Sequence, residues 1–405
     1  MFILYIVYLI FLSCLAITVL FLFVLAIAGR MSRADDTGDS LPRLFRKIGV
    51  LIPAYKEDAV LVDSVLTNLN QDYPADRFDL IVIADSLQPS VLGQLADLPI
   101  RVIEVSFAVS TVSKAINTAL AQLSNDDYDI IAVADADNHM APDFLSRINR
   151  AFDQGWVAVQ GHRVAKNTDT GVATLDAISE EINNHMFRKG SRAIGSSASI
   201  IGSGMAIETT LMKRAMANLI TMGGYDKELE MNIVLSGHTV GYLEEAYIFD
   251  EKVADRAVFE HQRTRWIAAQ WQFLTGYFRR GMADGLNGRT TGVLKIVQAL
   301  VLPKVLLLGL LIICTALGLL MNGQMVPGGA VSGPVLYGVP LTLLLVLCVS
   351  LLVSVPGYLW RRITVRELLL IPVLMLSFAR AMFNMRKAFK RFMHTPHTNT
   401  VPTAK

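Results

Sequence analysis

The sequence predicts an α/β domain with a mostly parallel sheet, flanked by transmembrane α-helices. Three observations predict this class: apolar runs alternate with helical patterns in the middle of the chain, long uncharged runs lie near both ends, and the composition is apolar. Hydrophobic residues make up 53% of the 405 residues and charged residues only 18%, which favours a membrane protein. The formal net charge of +2 does not indicate a nucleic-acid partner.

The N-terminal run, residues 1–29, carries no charged side chain and is long enough to cross a lipid bilayer. A signal peptide would have a basic start and a shorter apolar core, so we predict an uncleaved transmembrane helix. Basic side chains follow it, at Arg30, Arg33, Arg43, Arg46 and Lys47. By the positive-inside rule, the domain that comes next lies in the cytoplasm, and we expect the protein in the cell (inner) membrane.

The C-terminal region, residues 291–392, is predicted to contain two or three spans together with interfacial helices. The runs 305–321 and 334–359 are almost uncharged. A third run, 368–379, is short and has basic residues on both sides, so a membrane-surface helix and a further span explain it equally well. The polar residues 395–405 are predicted to form a tail.

The middle of the chain, residues 41–277, has the length and polarity of one α/β domain. The predicted strands are 48–53, 80–84, 101–105, 130–134, 157–160 and 200–207. Helical patterns cover 60–69, 113–123 and 142–152, which gives βαβ units.

The run 130–134 ends at Asp135 and Asp137, two carboxylates one residue apart. Ligands of open α/β sheets lie beyond the carboxyl ends of the strands. Two hard oxygen ligands suit Mg²⁺ or Mn²⁺, which take their other ligands from water and from the phosphates of a substrate. The alternative is that one aspartate caps the next helix and the other is solvated.

Polar or small residues in three other places are further candidates. Asp85 follows the second strand and could accept from the base or ribose of a nucleotide, with a loop carboxylate as the alternative. Lys114 stands at a helix N-terminus, where a cation is unfavourable unless an anion lies nearby, and an exposed lysine is its alternative. Gly202-Ser203-Gly204 interrupts a strand pattern and indicates close backbone approach, either to a ligand or to another strand.

A helix start at residues 224–230 carries three carboxylates. Asp226 and Glu230 are four residues apart and share a helix face. A carboxylate in a cleft could deprotonate a hydroxyl group. The alternative is that Asp226 is an N-cap and that Glu228 and Glu230 are solvated.

The segment Gln262-Arg263-Thr264-Arg265-Trp266 precedes the C-terminal membrane region. A guanidinium suits a diphosphate, and an indole face suits a sugar ring. An interfacial amphipathic helix would explain the aromatic residues alone.

The order of these motifs resembles that of the membrane-embedded family 2 glycosyltransferases, which include cellulose, chitin and hyaluronan synthases. The resemblance covers nearly the whole chain and implies a GT-A-like nucleotide-diphosphosugar transferase fold. Its most specific element is Gln262, Arg265 and Trp266, which match the Gln-x-x-Arg-Trp motif of the processive branch.

The resemblance also implies roles for the residues above. Residues 52–57 are similar to a Pro-Ala-Tyr-Asn-Glu turn, with Lys56 where asparagine is common. The metal, Mg²⁺ or Mn²⁺, would be held by Asp137 and Asp135. The acceptor would meet Trp266 and residues 202–204. The implied donor-binding residues are Pro53, Tyr55, Glu57, Asp85, Lys114, Asp135, Gln262 and Arg265.

One motif departs from the family pattern. The family carries Thr-Glu-Asp, whose last residue is the general base, where this chain has Gly224-Tyr225-Asp226. We predict Asp226 as the base, with Glu228 and Glu230 as alternatives. The implied reaction is an inverting displacement, in which an acceptor hydroxyl attacks the anomeric carbon of a UDP-sugar.

Three functions are compatible with these residues. The first is a processive β-linked polysaccharide synthase, which the Gln-x-x-Arg-Trp motif favours. Its channel would need a homodimer or a partner subunit, because the predicted spans are few. The second is a single-addition transferase onto a lipid or a short glycan. The third is a catalytically silent nucleotide-binding subunit, which the altered Thr-Glu-Asp motif suggests.

Overall fold

The computed structural model describes residues 2–32, 35, 42–217, 219, 223–321 and 334–388. Its centre is a mixed, mostly parallel sheet of eight strands in the order β3-β2-β1-β4-β7-β6-β8-β5. The strands are β1 (Ile48–Tyr55), β2 (Phe78–Asp85), β3 (Arg101–Val105), β4 (Ile130–Val133), β5 (His139–Met140), β6 (Ala158–Ala165), β7 (Met205–Glu208) and β8 (Gly241–Asp250).

Helices cover both faces of this sheet and continue into an apolar bundle. Those of the α/β domain are α2 (Leu61–Asn68), α3 (Pro89–Ala96), α4 (Val112–Gln122), α5 (Phe144–Asp153), α6 (Gly171–Asn183), α7 (Ser191–Ala193), α8 (Thr209–Met216) and α9 (Tyr225–Leu235). The others are α1 (Phe2–Met31), α10 (Arg256–Leu286), α11 (Thr290–Leu300), α12 (Lys304–Met321), α13 (Val339–Ser354), α14 (Gly357–Trp360) and α15 (Val365–Ala388).

The four strands β3, β2, β1 and β4 are parallel, and β7 reverses the direction of the sheet. Strands buried on both faces read as continuous apolar runs, and these four were predicted from such runs. The strand predicted at 200–207 is wrong over its first part, because β7 begins only at Met205. Gly202 and Gly204 have φ values of 82° and 67°, so the chain turns there instead of extending.

Within the described residues, two helices are long and apolar enough to cross a membrane, and a bent pair makes up to three. The two are Ile6–Met31 and Leu336–Ser354, and the pair is Thr290–Leu300 with Lys304–Leu320, bent by 64°. The run predicted at 368–379 lies inside α15, which is not among them. The predicted tail, 395–405, lies outside the described residues.

The α/β domain is joined to α1 by a close contact that only small residues allow. A π-helical segment, Asn184–Gly190, follows α6 and packs on α1. A Cβ atom added at Gly190 would lie 2.3 Å from the carbonyl oxygen of Leu25, and His185 Nε2 lies 2.8 Å from the carbonyl oxygen of Ala26. The N-terminal apolar helix is therefore fixed to the domain by backbone-level packing.

Candidate active site

The carboxyl ends of β1, β2 and β4 meet at one edge of the sheet. The register pairs Tyr55 of β1 with Asp85 of β2, and Pro53 lies inside β1. Lys56 and Ser86 follow directly, with φ values of 56° and 60°. Such values are uncommon for residues other than glycine and cluster at functional sites. The N–H of Lys56 donates to the carbonyl oxygen of Asp85 at 3.2 Å, and this hydrogen bond connects the ends of β1 and β2.

Two carboxylates at this edge are buried although a loop position would allow them to be solvated. Asp85 is 3% exposed and accepts a hydrogen bond from Ser86 Oγ at 2.9 Å. Glu57 is 8% exposed at the turn after β1. The alternative of a loop carboxylate at Asp85 is wrong, because Asp85 is the last residue of β2 and is buried.

Asp137 is the more deeply buried member of the aspartate pair after β4. It is 2% exposed, and its carboxylate accepts from Asn138 Nδ2 at 3.2 Å and from the N–H of Glu251 at 2.9 Å. The ammonium group of Lys166, itself 1% exposed, donates to the carbonyl oxygen of Asp137 at 3.0 Å. A buried cation therefore lies directly against this pair, and no sequence motif pointed to it.

The side-chain amide of Asn138 connects four groups around the aspartate pair by hydrogen bonds. Its Oδ1 accepts from the N–H of Asp135 at 3.2 Å and from Ser203 Oγ at 2.5 Å. Its Nδ2 donates to Asp137 and also to Asp250 Oδ1, both at 3.2 Å. Asn138 is fully buried, and its bonds to Asp137 and Ser203 are buried as well. It fixes the aspartate pair against the 202–204 segment and the end of β8.

The aspartate pair fits a divalent metal that is shared with a substrate. Among the described residues no three His, Cys, Asp or Glu side chains form a metal-binding group. Each carboxylate oxygen has two acceptor positions, so those of Asp137 keep capacity beside their hydrogen bonds. Mg²⁺ and Mn²⁺ are commonly held by one or two carboxylates, with water and phosphate oxygens completing the shell.

Asp226 lies in the first turn of α9, which starts after Gly224 in the left-handed conformation. Burial raises the pKa of its carboxyl group above the usual range, and the opposing charges of Lys227 and Arg163 only partly compensate. A half-buried carboxylate with a raised pKa is what proton abstraction from a hydroxyl requires.

Asp135 and Asp226 both lie close enough to Arg265 for their charges to act on its guanidinium. Burial lowers the pKa of the Arg265 guanidinium, and the charges of Asp135 and Asp226 raise it. Gly202 lies beside Asp226, because a Cβ atom added there would be 3.8 Å from Asp226 Cβ. Tyr225 Oη donates to the carbonyl oxygen of Gly202 at 2.6 Å. The structure thus brings together an aspartate predicted to bind the metal, the predicted base and the arginine of the Gln-x-x-Arg-Trp motif.

The two glutamates of α9 are not solvated, so that expectation is wrong. Glu228 is fully buried and accepts from Tyr277 Oη of α10 at 3.0 Å. Glu230 is 5% exposed and forms an ion pair of 2.7 Å with Lys295 of α11. Both point towards α10 and α11, which leaves Asp226 as the carboxylate of this helix that faces Asp135.

The Gln-x-x-Arg-Trp segment lies in α10. Gln262 Oε1 is buried and has no hydrogen-bond partner among the described residues, as expected for an atom that awaits a ligand. Trp266 is 39% exposed, and the Arg263 guanidinium covers its ring at 4.0 Å from the centroid. Arg263 also forms an ion pair with Asp176 of α6. Arg263 therefore fixes Trp266, a role that the motif spacing did not reveal.

For two predicted residues, the structure shows contacts within the protein that need no ligand. Lys114 is exposed, and its ammonium group donates to the carbonyl oxygen of Val109 at 2.8 Å. A Cβ atom added at Gly204 would lie 2.6 Å from Ile248 Cγ2, so this glycine permits sheet packing. Their predicted ligand contacts remain predictions.

The fold and the site define a nucleotide-sugar transferase of the GT-A type. Residues 45–269 match the family model described as glycosyltransferase-like family 2, and the chain belongs to that family. The predicted GT-A-like fold and glycosyltransferase domain are confirmed.

Related proteins fall within this class. The chain is 26% identical over 257 residues to a beta-monoglucosyldiacylglycerol synthase of Synechocystis sp., covering 60% of this chain and 52% of that one. It is 23% identical over 254 residues to the probable glycosyltransferase YdaM of Bacillus subtilis, covering 58% of each. The chain thus spans about half the length of the curated relatives it matches.

Among solved structures, the mannosyltransferase PcManGT from Pyrobaculum calidifontis, in complex with GDP-Man and Mn²⁺, has a TM-score of 0.53. It is 15% identical, and the match covers 85% of this chain and 96% of that one. At this identity the likeness shows the fold.

Proposed function

We propose that the protein is a membrane-bound inverting glycosyltransferase that moves a hexose from a UDP-sugar to a hydroxyl group of a membrane lipid. The observation that carries this proposal is the meeting of Asp135, Asp226 and Arg265 at the carboxyl edge of the sheet. It gives one site an anion-binding cation, a carboxylate for a metal and a carboxylate for a proton.

On the donor side, the nucleoside would lie at Asp85, Tyr55 and Glu57, beyond β1 and β2. Asp135 and Asp137 would hold Mg²⁺ or Mn²⁺, and a bound divalent cation neutralises the charge that develops on a departing diphosphate. Arg265 adds a guanidinium on the same side, which suits a diphosphate geometrically. The related solved structure contains GDP-Man and Mn²⁺, which supports a metal-assisted nucleotide sugar.

On the acceptor side, Asp226 would take the proton of the attacking hydroxyl. The oxygen attacks the anomeric carbon from the face opposite the nucleotide, and the diphosphate leaves, so the configuration inverts. The raised pKa of Asp226 makes it a stronger base than an ordinary aspartate. Trp266, exposed and held by Arg263, offers an indole face for the acceptor.

A lipid acceptor is supported by the membrane helices and by the relatives. The described residues contain two helices able to span a membrane, or up to three, which is few for the wall of a polysaccharide channel. Three of the similar curated proteins are beta-monoglucosyldiacylglycerol synthases. The basic residues after α1 support a cytoplasmic position for the α/β domain in the cell membrane.

A processive β-linked polysaccharide synthase is the second candidate, and the Gln262, Arg265 and Trp266 motif favours it. Such a synthase would need a second copy or a partner subunit to complete a channel. A short glycan acceptor and a silent subunit remain the further alternatives, although the buried, assembled site argues for catalysis.

The test is sugar transfer by the full chain in lipid nanodiscs that contain diacylglycerol, with Mn²⁺ or Mg²⁺. Radiolabelled UDP-glucose, UDP-galactose, UDP-N-acetylglucosamine and GDP-mannose are supplied singly, with Asp137→Ala as the inactive control. A labelled lipid of one added sugar is the expected result. High-molecular-weight product would establish the processive candidate, and transfer from GDP-mannose alone would refute the uridine donor.

A further inference from the structure

Helix α9, which carries the predicted base, is tied to α11 by a buried group of polar side chains. Glu230 Oε1 pairs with Lys295 Nζ at 2.7 Å, and both side chains are at most 7% exposed. Glu230 Oε2 accepts from the N–H of Ile200 at 3.0 Å. Ser199 Oγ accepts from Lys295 Nζ at 3.2 Å and from Gln298 Nε2 at 2.7 Å. We call Glu230, Lys295, Ser199 and Gln298 the clamp.

The clamp joins three segments, two of which lie at Asp226. One is α9 itself, where Glu230 lies one turn beyond Asp226. The second is the segment 199–204, whose Gly202 lies beside the Asp226 side chain. The third is α11, the first arm of the bent helix pair that leads into the apolar bundle. A shift of α11 would therefore move the surroundings of Asp226 on two sides.

Contacts on the neighbouring face of α9 lead to the same bent pair. Glu228 accepts from Tyr277, and Lys227 Nζ donates to Gln270 Oε1 at 3.1 Å. Gln270 Nε2 in turn donates to the carbonyl oxygen of Ala299 at 2.6 Å, close to the bend. A Cβ atom added at Gly224 would lie 2.7 Å from Ala269 Cβ, so the start of α9 packs tightly on α10.

We infer that Glu230 and Lys295 are positioning residues that hold Asp226 in its catalytic place and couple that place to the membrane arm α11. A buried ion pair is often no more stabilising than an apolar pair of equal size, so specific geometry is a better reason for its presence than stability. Glu230 binds α11 with one carboxylate oxygen and the 199–204 segment with the other. The clamp therefore fixes both the orientation of the Glu230 side chain and its distance from these two segments. This inference rests on the proposed role of Asp226 as the base.

The test compares variants of the full chain in nanodiscs. Lys295→Gln removes the cation, Lys295→Arg keeps it, and the double variant Glu230→Gln with Lys295→Gln leaves no buried charge unpaired. Arg46→Gln is the matched control, because it breaks an ion pair of 2.6 Å with Asp153 that does not touch α9. The readouts are kcat, the KM for the donor, thermal unfolding, and hydrogen exchange of the backbone amides of residues 225–231.

We expect Lys295→Gln to lower kcat on the order of 100-fold, since a displacement of about 1 Å in a catalytic group has that effect. The donor KM stays within about twofold, because Asp135, Asp137 and Arg265 lie outside the clamp. Amide exchange in α9 rises, Lys295→Arg restores most of kcat, and the double variant is more active than Lys295→Gln. The Arg46→Gln control loses stability without these changes.

An Lys295→Gln protein with the kcat and the α9 exchange of the Arg46→Gln control would overturn the inference. If Lys295→Gln does not fold, Glu230→Gln and Lys295→Arg, which retain hydrogen-bonding groups, carry the same comparison. Failure of the proposed base is a separate result: full activity of Asp226→Asn would refute that role, while amide exchange in α9 would still report on the clamp.

Discussion

Asp226→Asn is the substitution that tests the catalytic mechanism most directly. Asparagine has the same shape as aspartate but cannot take a proton from the acceptor. General base catalysis contributes about 100- to 10,000-fold to a rate. At about 1.4 kcal/mol for each tenfold change, the transition state loses about 3–5 kcal/mol of stabilisation. We expect kcat to fall by this factor while the donor KM changes little.

The same substitution should not weaken the fold, and this separates chemistry from structure. Burial raises the pKa of Asp226 in the folded protein above its unfolded value. For such a group, the stabilisation is complete below the unfolded pKa and is lost as the pH rises through the folded pKa. The ionised carboxylate of Asp226 therefore destabilises the folded protein relative to its protonated form. The unfolding free energy of Asp226→Asn should equal or exceed that of the wild type, which thermal unfolding measures.

The assay is the pH dependence of kcat/KM for the proposed transfer of sugar to lipid, with the wild type beside the variant. The wild-type rate should rise with pH through an apparent pKa above that of an ordinary aspartate, because the base must be ionised. Asp226→Asn should have a lower kcat/KM that no longer rises with pH in this range. A variant with wild-type kcat, whose rate still falls at low pH as in the wild type, would refute the assignment of Asp226 as the base.

Four further outcomes follow from the same site. Asp137→Ala should abolish the metal-dependent part of UDP binding, measured by calorimetry with and without Mn²⁺, while metal-free binding stays unchanged. Asn138→Ala removes the amide that donates to Asp137 and Asp250, so the carboxylate of Asp137 loses its orientation and Mn²⁺ affinity should weaken by about 10- to 100-fold. Gly202→Ala strains a backbone with φ of 82° beside Asp226, so kcat should fall with the donor KM retained. Arg265→Gln should instead raise the donor KM, and an unchanged value in steady-state kinetics would contradict its contact with the diphosphate.

The parallel half of the sheet could be predicted because its strands are buried on both faces. The runs at 48–53, 80–84 and 130–134 carry no charged residue, whereas 101–105, at the edge of the sheet, contains Arg101 and Glu104; each corresponds to a strand. The antiparallel half has no such signal. Strand β8, Gly241–Asp250, carries two adjacent glutamates, and β5 is only two residues long. Their pairing is decided by neighbours distant in the chain, which no local pattern contains.

The edge of the site could be predicted for a similar reason, whereas its supports could not. Carboxyl ends of parallel strands meet at one edge, so Asp85 and Asp135 had to lie near each other. Asn138 acts through Ser203, 65 residues away, and Arg263 acts through Asp176, 87 residues away. An asparagine or an arginine in such a place has no characteristic spacing, so only the folded chain identifies it.

The three carboxylates of α9 show how position along a helix, and not only its face, decides function. Residues 226 and 230 are four apart and project to similar sides of the helix. They are also separated by about 6 Å along the axis, since each residue rises 1.5 Å. Asp226 stands at the end that reaches Gly202 and Asp135, whereas Glu230 lies one turn deeper, where Ile200 and Lys295 cover it. Segments distant in the sequence therefore decide how deeply each carboxylate lies in the cleft. Asp226 stays available to a substrate, whereas Glu230 becomes a residue that positions Asp226.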